Sequence, residues 1–84
     1  MNEREQVEVN DLYEGAYLLC CGYPLVDLQW DQDGHACFVI SGKGLRSHVD
    51  AFRSGSATGN ICMYLFALER LKDRLFSERR KQGR

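Results

Sequence analysis

No stretch of the sequence approaches the roughly 18 consecutive apolar residues of a membrane-spanning helix, so an ordinary helical span is excluded. The opening MNEREQVEVN lacks the basic-then-apolar layout of a secretory signal, and the expectation is a cytoplasmic protein with no membrane partner. The four cysteines, Cys20, Cys21, Cys37 and Cys62, contain no C-x-x-C spacing of the kind that marks many zinc and dithiol sites. Cys20 and Cys21 are neighbours, and an adjacent pair bonds only under strain. Reduced thiols are expected. Basic residues are nearly missing from the first half: residues 1–42 hold eight acids and one base, Arg4, for a charge of −7.

The bases are in the second half, where ten of them face four acids for a charge of +6 and a whole-chain net of −1. Such a division suits head-to-tail association, internal complementarity, or a basic surface for an anionic partner. The 84 residues fit one domain, and the apolar share of 44% with 27% charged residues is that of a globular chain. A chain of this size buries only about 60 to 65% of its unfolded surface, so most apolar side chains are needed for folding.

Residues 1–9 are polar and acidic apart from Val7 and Val9, and read as a flexible acidic arm. Asn10 or Asp11 can cap a helix in which Leu12, Ala16, Leu19 and Cys20 recur at helical spacing, with Gly15 open to close approach by a neighbour. Gly22 supplies a left-handed cap, Tyr23 can fold back onto Tyr17 or Leu18, and Pro24 prevents continuation. Cys20 and Cys21 thus mark a structural corner rather than a reactive site, since no base beside them would lower a thiol pKa.

Val26, Leu28 and Trp30 alternate with polar residues, Asp33-Gly34 is a turn signal, and the returning strand is apolar on both faces, so it is either covered on both sides or adjoins a second subunit. Gly42-Lys43-Gly44 ends it. A short helix follows, with Leu45, Val49 and Phe52 on one side, then the connection SGSATG over residues 54–59. Asn60 caps a final helix running to about Ser77. Ile61, Leu65, Leu68, Leu71 and Leu75 line one face of it, and Tyr64, Leu68, Leu71 and Leu75 recur at four-three-four spacing. Met63, Phe66 and Phe76 fall outside that seam. The expectation is one α+β domain over residues 10–77, ordered α-β-β-α-α, with a two-stranded antiparallel hairpin packed on helices and a basic flexible tail over residues 78–84.

Catalytic and metal chemistry finds little support. His35 and Cys37 share a strand face, but zinc sites draw on several close ligand pairs and this chain has one at most. A cysteine–histidine nucleophile needs a walled pocket that so short a chain can hardly spare beside its core, and His48 reads as a packing residue. Ser41-Gly42-Lys43-Gly44-Leu45 departs from the phosphate-loop pattern and reads as a strand-to-helix turn. No catalytic residue, metal or cofactor is expected.

Leu12-Tyr13, Ala16, Leu18-Leu19, Gly22-Tyr23-Pro24-Leu25, Cys37-Phe38-Val39-Ile40, Gly55 and Ala67-Leu68-Glu69-Arg70-Leu71-Lys72 together give the chain a pattern that resembles a family of short bacterial and phage proteins known as a domain of unknown function. The likeness covers most of residues 11–76, with Gly22-Tyr23 its distinctive pair. It implies a prokaryotic or phage setting and carries no activity or cofactor. The reading is a non-enzymatic protein-interaction module, self-associating as a homodimer through the long C-terminal helix, with Tyr64, Phe66, Leu68 and Leu75 as contacts and a further protein partner of unknown identity. The alternative is a small nucleic-acid-binding or regulatory protein using a basic ridge of Arg70, Arg74, Arg79, Arg80 and Lys81. Bases near a helix C-terminus also favour its dipole and solubility.

Overall fold

The structure, a computed structural model, describes residues 5–82. Its elements are β1 (Glu5–Val9), α1 (Leu12–Cys20), β2 (Leu25–Trp30), β3 (Ala36–Gly42), α2 (Leu45–Ser54) and α3 (Ile61–Gln82). The class is α+β, and the order is β-α-β-β-α-α. The expected arm is corrected: Val7 and Val9 alternate with Gln6 and Glu8, and this short two-residue period pairs antiparallel with β3. The expected tail is corrected too, because residues 78–82 continue α3. No proline or glycine interrupts SERRKQ, and Arg79, Arg80 and Lys81 stand at the helix end that favours positive charge. The remainder of both segments, residues 1–4 and 83–84, lies outside the described residues.

The hairpin is present as part of a three-stranded antiparallel sheet of order β1-β3-β2. Its central position accounts for the apolar character of β3 on both faces. Phe38 and Ile40 point to the core, opposite Val9 and Val7 of β1. On β2 a register irregularity between Leu25 and Asp27 sets Leu25, Leu28 and Trp30 opposite Ile40, Phe38 and Ala36, and leaves Val26 more than half exposed. Strict alternation had grouped Val26 with Leu28 and Trp30; the extra residue of a bulge moves it out. The other sheet face is polar around Val39, whose register neighbours are Glu8 and Asp27.

Asp11 caps α1 by accepting the Tyr13 amide at 2.9 Å. The helix ends in a Schellman arrangement: the Gly22 amide donates to the Leu19 carbonyl at 3.0 Å and the Tyr23 amide to that of Leu18 at 3.2 Å, with Gly22 at φ 102°. The Tyr23 side chain packs against the core cluster and reaches the end of β3. Its ring covers Gly42, its hydroxyl donates to the Lys43 carbonyl at 2.7 Å, and its edge meets His48 with ring centroids 5.5 Å apart. The Gly22-Tyr23 pair thus latches the end of α1 to the end of β3.

Gly15 lets α3 come close, since a Cβ there would stand 3.2 Å from Leu71 Cδ2 and 3.6 Å from Phe38. Helix α2 buries Leu45 and Val49 and is tied to α1 by Arg53, whose Nε donates to the buried carboxylate of Glu14 at 2.9 Å. Its first turn is also tied to β1, where the Glu5 carboxylate accepts the Arg46 amide at 2.6 Å.

Candidate interaction surface

Helix α3 begins where Asn60 accepts the Met63 amide through its side chain, at 3.0 Å. It is about 33 Å long in a molecule whose longest extent, α3 included, is 39 Å. A helix this long against one small core buries a narrow stripe. Leu68 and Leu71 are buried and Tyr64 and Leu75 pack against the same cluster, which is the four-three-four seam. Tyr64 also donates its hydroxyl to the Tyr13 carbonyl at 3.3 Å, and burial pushes its phenol pKa up.

Three of the four expected contact residues, Tyr64, Leu68 and Leu75, therefore serve the chain's own core. Phe66 alone of the four is open, with 66% of its surface exposed. Ile61 and Leu65, read as members of the buried face, are also more than half exposed, as are Met63 and Phe76. Ile61 overhangs as the first helical residue, and Leu65 is displaced by roughly 80 to 100° from the direction of Tyr64 and Leu75. The exposed apolar residues form two flanks. Ile61, Leu65 and Phe76 fall on one side of the seam; Met63 and Phe66 fall on the other, where they border a groove of about 420 Å³ with Leu19, Leu25 and Leu71. Their position outside the seam was visible in the spacing; the groove was not, because it needs α1 and β2 alongside.

The basic residues do not form one ridge. Arg70 lies over the Phe66 ring at 5.8 Å and Arg79 over Trp30 at 5.4 Å. Arg74 and Lys81 both approach Glu78, at 3.6 and 3.8 Å. Arg70, Arg74 and Lys81 share a face, whereas Arg79 and Arg80 point roughly 100° or more away from it. Of the four ion pairs among the described residues, only Glu14–Arg53 joins the acidic half of the chain to the basic half.

Of the cysteine and histidine candidates, Cys21 and His48 come together. Cys21 Sγ lies 3.6 Å from His48 Nδ1, and burial pushes the Cys21 thiol pKa up despite a hydrogen bond with Tyr17. A raised pKa disfavours the thiolate form that a cysteine nucleophile uses. Cys37 sits on the polar sheet face, its pKa raised first by burial and then by Glu8 and Asp31. His35 is in the hairpin turn with Asp31 and Asp33, an exposed trio whose ligand atoms lie within 4.8 Å of one another. Turn chemistry accounts for it: Asp31 Oδ1 accepts the amides of Asp33 and His35 at 2.9 and 2.8 Å. The amide at the start of α2 that could receive an anion is already taken by Glu5.

Comparison of the chain with protein-family models, with curated proteins and with solved structures gives no match. No helix among the described residues is long and apolar enough to cross a membrane.

Proposed function

We propose that this chain is a non-enzymatic interaction module of a prokaryotic or phage assembly, and that it self-associates as a homodimer through α3. The observation that carries the reading is the surplus of apolar surface on that helix: Ile61, Met63, Leu65, Phe66 and Phe76 each expose more than half of their area. In a chain with so little core to spare, five large apolar side chains left in water favour a surface meant to be covered. A second copy is a suitable cover for the Ile61, Leu65 and Phe76 flank because a net charge of −1 brings little repulsion between copies. Leu65→Glu places a charge in the middle of that flank without touching the core. Size-exclusion chromatography with light scattering is expected to show a dimer for the parent chain and a monomer for Leu65→Glu, at unchanged helicity. A parent chain that elutes as a monomer at every concentration removes the reading.

Nucleic-acid binding is the second reading, favoured by one observation: α3 carries Arg70, Arg74 and Lys81 on a common face over three turns. It requires affinity that falls steeply with salt. Weak, salt-insensitive binding to both single- and double-stranded DNA disposes of it.

A further inference from the structure

The groove on the other flank of α3 differs in character from the dimer flank. Its floor is Leu19, Leu25 and Leu71, its near wall is Met63 and Phe66, and its rim holds Arg70 and Arg74 with no acidic side chain among the lining residues. Arg70 and Arg74 are one turn apart, about 6 Å along the helix. Arg70 lies over the Phe66 ring at 5.8 Å, and Arg74 pairs, among the described residues, with Glu78, through a surface contact of 3.6 Å to a carboxylate that Lys81 also approaches. Exposed pairs of that kind contribute little and exchange readily for a better-placed carboxylate.

We propose that this groove is a docking site for an acidic amphipathic helix of another protein. The volume of about 420 Å³ takes a few aliphatic or aromatic side chains, and Met63 gives the wall an adaptable surface. Carboxylates one turn apart on the incoming helix meet Arg70 and Arg74 when that helix lies along α3. The groove lies at the surface and is not an enclosed cavity, which disfavours a fatty acid, whose alkyl chain would remain partly in water. Charge supplies the selectivity and apolar contact the adhesion.

The proposal does not rest on self-association. Its test uses a labelled synthetic peptide helix with Leu and Phe on one face and Glu at its borders, compared by fluorescence anisotropy with the same peptide carrying Lys for Glu. The Glu peptide is expected to bind saturably and about tenfold or more tightly than the Lys peptide, a difference of about 1.4 kcal/mol. Arg70→Glu with Arg74→Glu reverses that preference. Arg46→Glu with Arg80→Glu, an equal change of charge away from the groove, preserves it, and so does Leu65→Glu. Equal binding of the two peptides overturns the proposal, as does a loss of preference in the Arg46 and Arg80 variant, which would mark attraction to charge alone. Saturable binding of laurate without peptide binding overturns it in favour of an amphiphile site. Dissociation of a dimer by the Arg70 and Arg74 changes overturns it in favour of a second copy as the occupant.

Discussion

Gly42 has no room for a side chain, because the Tyr23 ring lies where a Cβ would stand. Gly42→Ala is therefore expected to destabilise the fold by about 1 to 3 kcal/mol, the usual cost of overpacking, as read from urea denaturation. Tyr23→Phe keeps the ring and removes only the hydroxyl bond to Lys43, so a loss of about 0.5 to 1.5 kcal/mol is expected from the same measurement. At the hairpin, the backbone N–H of His35 holds the Asp31 carboxyl below the usual carboxylate pKa; desolvation opposes it as the next largest effect, and the Asp33 amide and the His35 ring add to the lowering. A depressed folded-state pKa contributes stability above the unfolded value and loses it as pH falls through the folded value. A carboxyl titration followed by NMR should place the Asp31 midpoint below the ordinary aspartate range; a midpoint at or above that range would contradict the turn geometry.

At the scale of elements, α3 separates core from surface within single turns. Leu71→Ala is expected to cost about 2 to 5 kcal/mol by thermal or urea denaturation, because Leu71 is buried against Gly15 of α1. Phe66→Ser is expected to stay within about 0.5 kcal/mol of the parent, since its ring is mostly in water. The seam behind this contrast was legible as Tyr64, Leu68, Leu71 and Leu75. The caps at Asp11, Gly22 and Asn60 and the turn at Asp33-Gly34 were legible as well, because each depends on a side chain or a φ angle close in sequence. What escaped depends on distant partners. Glu5–Val9 is too short and too charged to be recognised as a strand until β3 lies beside it. The irregularity at Val26 is likewise set by the pairing of β2 with β3, not by the composition of either. Tyr64, Leu68 and Leu75, expected as contacts, pack on the chain's own core for a similar reason: periodicity identifies an apolar face but not which body covers it.

Over the whole molecule, among the described residues, Glu5, Glu8, Asp27, Asp31 and Asp33 lie on the sheet and its turn, and six bases lie on α3. The division visible in the sequence persists in the fold with a single bridging ion pair, Glu14–Arg53, among the described residues. Opposite charges that are not spent on each other within the chain remain for recognition outside it. The apolar surplus follows the same pattern, since the core closes around Phe38, Leu18, Ile40, Leu45, Leu71 and Val9 and leaves both flanks of α3 open. Sedimentation equilibrium across micromolar concentrations tests this account most directly. The account predicts a reversible monomer–dimer equilibrium that Ile61→Asp and Leu65→Glu each abolish while leaving the circular dichroism spectrum unchanged. A monomer mass at all concentrations, or a dimer indifferent to both substitutions, would contradict it.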